Sequence, residues 1–400
     1  MTESEDAIMN THLSRPLCFA LSLCLFATPV FAEQGVTNTQ VLIGMSTVLT
    51  GPAAFLGTSF QTGSEAMLKS INDAGGVNGR MFKLIVYDDG YEPARAIPNV
   101  TKLIKEDKVF CILGNVGTPT TMAIMPIVTQ EKIPLFAPFT GAEPLRSPVN
   151  RYILNYRASY KQEVEEFIHG MVDKLGHKKI AVFFQDDAYG RVVLEATKKA
   201  LESRQMQAVA AGSYKRNSED IEEGLTAVMA AKPDAVVMVG TYGACGKFIK
   251  EGKKRKFNPV YMNVSFVGPD KLAEILGPDG EGEVVTNVVP PFYSEAAKHY
   301  PAVTDYLQAM KTYFPGTKPS FVGLEGYLAT KVFLEGVKRA GKELTHDNFI
   351  AAIEGITDLD IGAGNRINFS AMNHQGSQKV YPTVIRNGKF EVIKDWETLR

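Results

Sequence analysis

The chain has 400 residues and is nearly neutral, with 43 lysine and arginine against 44 aspartate and glutamate side chains. Hydrophobic residues make up 45% of it and charged residues 22%, which are ordinary values for a globular protein. This composition excludes a disordered, collagen-like or coiled-coil chain, and without an excess of basic residues it gives no argument for nucleic-acid binding. The length is sufficient for two lobes, each with its own core.

Residues 1–32 are predicted to form a signal peptide. Leu17–Ala27 is an apolar run preceded by Arg15, and small residues follow at the two positions that a signal peptidase reads. The run is shorter than the ~20 apolar residues that a membrane span needs. We therefore expect cleavage before Glu33 and a periplasmic protein with no membrane span in its mature form. The acidic residues ahead of Met9 are unusual for a signal peptide and make Met9 an alternative start.

Four cysteines are too few for a fold held together by disulfides. Cys18 and Cys24 belong to the predicted signal peptide. Cys111 and Cys245 lie in segments assigned to different lobes, so we expect two separate buried thiols.

From Val41 onward, short β-branched runs alternate with stretches of helical period, which is the pattern of parallel sheets built from β-α-β units. In the first half the predicted strands are 41–47, 81–88, 109–114, 134–139 and 152–156, and the helices are 58–74, 93–106 and 119–131. In the second half the predicted strands are 179–185, 209–213, 235–239, 260–263 and 284–289, and the helices are 163–175, 190–203, 220–231, 245–252 and 271–276. The fold class is therefore α/β, with two similar open sheets that bind a ligand beyond the carboxyl ends of their strands.

The last third departs from a simple chain of two halves. Its predicted elements are helices 301–314, 321–340 and 346–356 and strands 380–386 and 390–394. Because late helices need a sheet to cover and late strands need one to join, the chain is expected to cross between lobes more than once. We predict one lobe from 33–156 plus 288–365 and the other from 157–287 plus 366–400.

Signatures of common enzymes are missing from the sequence. It contains no G-x-x-x-x-G-K-[ST], H-E-x-x-H or G-x-S-x-G, and no histidine pair with metal-ligand spacing. Asp88-Asp89 and Asp186-Asp187 each follow a strand, where aspartate more often starts a turn or caps a helix. We expect neither an enzyme nor a bound metal or cofactor.

Residues suited to ligand recognition follow several predicted strands. They are Phe55, Leu56, Thr118, Phe139, Thr140, Gly141, Tyr189 and Tyr242, with Asn115 as a further candidate. Thr118 is predicted to be the N-cap of a helix that starts with Pro119, which would present a hydroxyl and free N–H groups to a carboxylate. The set lacks a nucleophile–base pair, so it predicts binding rather than catalysis.

Several segments resemble the type I periplasmic binding proteins, in particular the leucine/isoleucine/valine-binding branch of ABC-transporter solute receptors. These segments are 41–44, 50–54, 72–80 and 87–89, and the resemblance extends over nearly the whole predicted mature chain. It implies two Rossmann-like lobes, a hinge of three crossings and a ligand enclosed between the lobes.

The resemblance also assigns roles to single residues. The family's carboxylate-binding hydroxyl falls on Thr118, and the neighbouring ligand-binding loop falls on Phe139, Thr140 and Gly141. The family's lid falls on Leu56, with Phe55 beside it. Its second-lobe contacts fall on Tyr189, Thr241 and Tyr242. The acidic residue that holds the ligand ammonium in branched-chain amino-acid receptors falls at or next to Ser265. One neutral oxygen is a weak partner for a buried ammonium, which puts an α-amino acid ligand in doubt.

Arg157 follows the first expected crossing. It is a candidate contact for an anionic group, although we favour a structural role at the hinge.

The predicted function is a monomeric periplasmic protein that captures a small polar solute by hinge closure and delivers it to an ABC permease. The alternative is a periplasmic sensor that reports the solute to a separate receptor or regulator. Amino acids, aromatic carboxylates, amides and urea-like compounds all remain open as ligands. Phe55 and Phe139 favour an apolar or aromatic body.

Overall fold

The computed structural model describes residues 33–399. The predicted signal peptide, its alternative start at Met9, and Cys18 and Cys24 lie outside the described residues. Cys111 and Cys245 are both free and buried, which confirms the prediction of two separate thiols. No helix in the described part of the chain is both long enough and apolar enough to cross a lipid bilayer.

Strands and helices alternate through most of the chain, as the periodicity predicts. The strands are β1 (Gln40–Thr47), β2 (Met81–Asp88), β3 (Cys111–Leu113), β4 (Leu135–Phe136), β5 (Ile153–Leu154), β6 (Ile180–Gln185), β7 (Ala210–Tyr214), β8 (Ala235–Val239), β9 (Val260–Asn263), β10 (Val284–Asn287), β11 (Leu359–Asp360), β12 (Arg366–Ile367), β13 (Tyr381–Arg386) and β14 (Lys389–Val392). The helices are α1 (Ala54–Asp73), α2 (Pro93–Lys105), α3 (Thr118–Gln130), α4 (Tyr160–Ile168), α5 (Ala188–Glu202), α6 (Glu222–Ala230), α7 (Tyr242–Lys254), α8 (Pro269–Leu276), α9 (Ser294–Ala297), α10 (Pro301–Tyr313), α11 (Phe321–Ala340) and α12 (His346–Glu354).

Two large sheets organise these elements. The first has the parallel order β2-β1-β3-β4-β5. The second has the order β14-β13-β10-β9-β8-β6-β7, in which β13 and β14 are antiparallel and the other strands parallel. In both sheets the carboxyl ends of neighbouring parallel strands meet at one edge. The loops that leave this edge carry the predicted ligand-binding residues.

The chain passes between the two sheets three times: after β5, after β10 and after β12. The first and third passages run side by side, because Asn155 donates its N–H to the His374 carbonyl at 2.7 Å and Ser377 donates to Tyr156 at 2.8 Å. Between the second and third passages, α11 packs closely on α1. β12 pairs with β11 across the predicted boundary between residues 365 and 366, which places the third passage after Ile367.

Several helices begin one to four residues earlier than predicted, and two of these starts lie beside the predicted site. α1 starts at Ala54, so Phe55 and Leu56 lie in its first turn rather than in a free loop. The turn that precedes it is closed by the Ala54 N–H, which donates to the Gly51 carbonyl at 3.1 Å. α7 starts at Tyr242 with Thr241 as its N-cap. Small residues such as Ala and Gly in these first turns obscured the helical period in the sequence.

Candidate functional site

Two threonine hydroxyls meet at the edge of the first sheet. The Oγ1 atoms of Thr118 and Thr140 lie 2.6 Å apart, and both side chains are fully buried. The prediction that Thr118 caps α3 was wrong: Gly117 is the N-cap, and Thr118 is the first residue of the helix. Gly117 has a φ of 97°, a conformation that favours glycine, and this releases the Thr118 hydroxyl to bond with Thr140.

Gly117 also permits a close approach by an aromatic ring. A Cβ atom at this position would lie 2.1 Å from a ring carbon of Tyr91. Tyr91 follows β2, is fully buried, and accepts a hydrogen bond at its hydroxyl from the Gln185 side chain at 3.1 Å. Since Gln185 ends β6, this bond joins the first sheet to the second.

Four rings, here called the aromatic cluster, fill the space between the two sheets: Tyr91, Phe139, Tyr189 and Phe266. The Phe266 ring is central, with its centroid 4.7 Å from Tyr189, 5.3 Å from Phe139 and 6.0 Å from Tyr91. Tyr91 and Phe139 follow strands of the first sheet, whereas Tyr189 and Phe266 follow strands of the second. Tyr91 and Phe266 were not among the predicted residues, although each follows the carboxyl end of a strand.

The Tyr189 side chain is fully buried, yet its hydroxyl makes no hydrogen bond with any residue that the structure describes. Its ring packs against Tyr160 with centroids 5.4 Å apart. Tyr160 in turn donates its backbone N–H to the carbonyl of Gly141 at 2.7 Å. Gly141 is required there because a Cβ atom would lie 2.6 Å from the Tyr160 nitrogen.

Beside these rings lies a group of four buried charged side chains and one serine, here called the Arg157 cluster. Its members are Arg157, Glu163, Ser265, Glu325 and Arg146. Arg157 Nη2 donates to Glu163 Oε1 at 3.2 Å and to the Ser265 hydroxyl, and Arg157 Nη1 lies 3.6 Å from Glu325 Oε1. The guanidinium also lies over the Phe139 ring, 5.0 Å from its centroid. The Arg157 side chain is only 1% exposed. The sequence pointed to Arg157 and Ser265, but not to the two glutamates or Arg146.

Glu163 is fully satisfied in this cluster. Besides Arg157, it accepts hydrogen bonds from the Ser265 N–H at 2.8 Å, from the Ser265 hydroxyl at 2.9 Å and from the Thr286 hydroxyl. Glu325 has a different environment. Burial raises its pKa to about 7, although the positive charge of Arg157 opposes the shift. Burial and the neighbouring Arg157 charge together lower the pKa of Arg146 to about 10.

A second set of contacts closes the rim between the sheets. The Phe55 N–H donates to the Tyr242 hydroxyl at 3.2 Å, and the two rings meet edge to face with centroids 5.9 Å apart. Leu56 is buried against the same place, since a Cβ atom on Gly268 would lie 2.9 Å from a methyl group of Leu56 and 3.1 Å from the Tyr242 ring. The structure thus brings together three predicted residues of the lid and the second lobe.

Two predicted residues, Asn115 and Thr241, take part in none of the contacts described so far. The Asn115 amide is within hydrogen-bonding distance of the Thr120 and Thr121 hydroxyls, at 3.2 and 2.9 Å, so it supports the loop before α3. Thr241 donates its N–H to the Tyr214 hydroxyl at 3.0 Å. It reaches the aromatic cluster only indirectly, because Tyr214 also bonds to Gln185 at 3.1 Å.

Polar residues also join the two sides away from the rings, and we call this group the cross-cleft latch. Glu92, before α2, accepts from Arg216 Nη2 at 2.8 Å and from the Asn217 side chain at 2.6 Å. Asn217 also donates to the Gly90 carbonyl at 3.1 Å. Arg216 and Asn217 follow β7, so these bonds link the second sheet to the loop after β2 in the first.

The aspartate pairs have structural roles, as predicted. Asp88 accepts hydrogen bonds from the backbone N–H groups of Leu49 and Gly90, and Asp187 caps α5 by accepting from the Tyr189 N–H at 2.9 Å. Burial raises the pKa of Asp89 to about 6, and its carboxylate accepts from the Ser46 hydroxyl at 2.8 Å.

The two sides pack tightly around the predicted site. A hollow lined by Phe139, Ser265 and Glu325 has a volume of only about 10 Å³. A larger hollow of about 610 Å³ lies between α4 and α5 beside Glu143 and Pro144, and it contacts none of the predicted site residues. Side chains from the two sheets therefore fill the space around the predicted site.

Comparison with known proteins agrees with this architecture. A family model described as periplasmic binding protein matches residues 40–389. A relative from Pseudomonas aeruginosa, the leucine-, isoleucine-, valine-, threonine-, and alanine-binding protein, is 24% identical over 314 residues, covering 78% of this chain and 82% of the relative.

Solved structures give the same picture. A possible leucine/isoleucine/valine-binding protein from Rhodopirellula baltica is similar with a TM-score of 0.86 and 37% identity, covering 90% of this chain and 98% of that one. A fatty acid ABC transporter substrate-binding protein from Thermomonospora curvata shares the fold with a TM-score of 0.81 at 21% identity, covering 90% and 93% of the two chains.

Proposed function

Because the chain belongs to the periplasmic binding proteins of type I, of the leucine/isoleucine/valine-binding kind, we propose that it captures a small polar solute in the periplasm. The solute is an amino acid or another small carboxylate or amide, and the closed form delivers it to an ABC permease. The protein acts as a monomer and catalyses no reaction. The lobes are 33–156 with 288–367 and 157–287 with 368–399.

One observation carries this proposal. Loops from the carboxyl ends of both sheets converge on one buried place, where Thr118, Thr140 and Phe139 from the first sheet face Tyr189 and Phe266 from the second. Hydroxyl groups and aromatic rings at a meeting point of two lobes suit the recognition of a small molecule with a polar end and an apolar body.

Hinge closure is the mechanism that this arrangement supports. A solute that contacts both sides stabilises the closed form relative to the open form, because it loses half of its contacts when the lobes separate. Micromolar binding needs about 8 kcal/mol in total. A few hydrogen bonds to charged groups at about 1.5–3 kcal/mol each, together with burial of an apolar body, are sufficient.

A thermal-shift screen over amino acids, aromatic and aliphatic acids, amides and urea-like compounds tests the proposal. At least one class should raise the melting temperature, because a ligand that binds the folded state stabilises it. Calorimetry should then show binding weakened at least tenfold in Thr118→Ala and unchanged in the control Thr101→Ala, whose threonine is exposed on α2. Equal binding by Thr118→Ala and the parent would remove Thr118 from the site.

The proposed location and assembly have tests of their own. Osmotic shock of cells that express the full gene should release the protein without its first 32 residues. Light scattering on the released protein should give the mass of a monomer. Retention in the cytoplasm or a dimeric mass would contradict these parts of the proposal.

A further inference from the structure

We propose that Arg157 binds the carboxylate of the solute directly, so that the solute is an organic acid with an apolar or aromatic body and no charged amino group. This inference rests on the proposed function, since it names the solute class for the same site. It also changes the role that the sequence favoured for Arg157, from a hinge support to a ligand contact.

The first argument is that Arg157 has unused donors. Its Nε and Nη1 atoms make no hydrogen bond with any described residue, although the side chain is 1% exposed and Nη1 lies 3.6 Å from Glu325 Oε1, beyond hydrogen-bond distance. A buried donor without a partner is costly, and the cost is larger for a charged group. The planar guanidinium presents its N–H groups in a fork that matches the two oxygens of a carboxylate. The free donors therefore suit an acceptor that arrives with another molecule.

The second argument is that both carboxylates of the Arg157 cluster already form ion pairs with Arg157, at 3.2 Å for Glu163 and 3.6 Å for Glu325. Glu163 already accepts from Arg157, from both groups of Ser265 and from Thr286. Glu325 faces Arg157 at 3.6 Å. An ammonium placed here would meet a guanidinium of the same charge and would compete with it for these two carboxylates. A carboxylate in the same place gains both attraction and hydrogen bonds.

The third argument concerns the surroundings of the guanidinium. The Phe139 ring lies beneath it, and the next residue, Thr140, contacts the Thr118 hydroxyl. The buried Tyr189 hydroxyl, which also lacks a partner among the described residues, is linked to Arg157 through Tyr160, whose ring contacts both side chains. These groups offer a few hydrogen bonds around a site whose remaining walls are aromatic. An apolar or aromatic acid matches this site, because its carboxylate can meet the hydrogen-bond donors while its body packs against the rings.

The charges of the cluster can adjust to such a ligand. Arg157 faces Glu163, Glu325, Arg146 and the Tyr160 ring, and Tyr156 also lies near Glu325. Burial raises the pKa of Glu325 to about 7, so this carboxylate readily takes up a proton from solvent when a second anion approaches Arg157. Binding of an acid near neutral pH is then accompanied by proton uptake.

The test compares ligands that differ by one group. Calorimetry and thermal shift on the purified protein compare 3-phenylpropanoate with phenylalanine and with 3-phenylpropanamide, and 4-methylpentanoate with leucine. We expect at least one acid to bind, and to bind at least tenfold more tightly than its amino acid and its amide. An amino acid or amide that binds as tightly as the matching acid would overturn the inference and leave the proposed function standing. A panel in which no compound of any class binds would contradict both.

A variant then tests Arg157 itself. Arg157→Lys keeps the positive charge but loses the fork, and it should weaken binding of the acid at least tenfold. Arg151→Lys is the matched control, because Arg151 is an exposed arginine that pairs with Asp347 at 2.7 Å, and it should bind like the parent. Unchanged acid binding in Arg157→Lys would refute a direct contact. If that variant does not fold, the ligand comparison on the parent protein decides alone.

Discussion

The cross-cleft latch gives a prediction about affinity that involves no contact with the solute. Glu92 accepts from Arg216 and Asn217 only when the two sides are together. In Glu92→Ala both bonds are lost, so the closed form should become less stable while the free energy of the open form stays unchanged. The solute then has to supply more of the free energy of closure, and its measured affinity falls.

The size of this effect follows from the geometry. The Arg216–Glu92 pair is partly exposed, with side chains 22% and 40% accessible, so it contributes about 0.5–1 kcal/mol after screening by solvent. The bond from Asn217 to the charged carboxylate adds about 1 kcal/mol. A total near 2 kcal/mol corresponds to a dissociation constant raised up to about 30-fold, if the free protein is mainly open.

Calorimetry with the best solute from the screen measures this change. The control is Glu106→Ala. Glu106 is an exposed glutamate just after the end of α2, the helix that Glu92 precedes. Scattering of X-rays by the solute-bound proteins should also show a more open population in Glu92→Ala at equal solute concentration. A dissociation constant within twofold of the parent, or an equal loss in Glu106→Ala, would refute the reasoning.

Three further predictions concern the fold around the site. Burial raises the pKa of Glu325 to about 7, so the folded protein holds more protons than the unfolded chain between about pH 4.5 and 7. The free energy of unfolding should therefore fall by roughly 3 kcal/mol as pH rises through this window. Urea melts at pH 5 and 8 should show a smaller difference in Glu325→Gln than in the parent, and an equal difference would contradict this. Gly141→Ala places a Cβ atom against Tyr160 and should lower stability by about 1–3 kcal/mol, which a melting temperature equal to the parent's would disprove. Burial raises the pKa values of Cys111 and Cys245, so both thiols should resist iodoacetamide in the folded protein and react in urea. Peptide mass mapping can check this, and rapid labelling of either thiol in the folded state would show that it is not buried.

Local patterns were sufficient to predict most of the architecture. The sequence predicts a helix at Phe321–Ala340 with the bounds that the structure gives. The structure shows Ser320 as its N-cap and Gly341 at its end. Phe55 and Tyr242 were predicted to lie beside the ligand site, and the structure brings them together. The sequence did not predict that helices begin at these positions. Glycines and alanines in a first turn carry little periodic signal, so the start of such a helix depends on what packs against it.

The candidate site was predictable only where strand ends marked it. Thr118, Phe139 and Tyr189 follow strands, and the topology brings them together. Glu325 lies in the second turn of α11 and meets Arg157 only because that helix returns to cover the first sheet. No local pattern contains this information. A buried glutamate within a helix looks like any surface glutamate until the packing of the helix is known.

The account's central claim is that one solute is held between the two sheets by loops from both. A crystal structure with the tightest binder from the screen tests this most directly. The account predicts density for the solute against Thr118, Tyr189 and Arg157, with the Phe266 ring moved aside to admit it. Density in the hollow between α4 and α5, with the aromatic cluster unchanged, would contradict it.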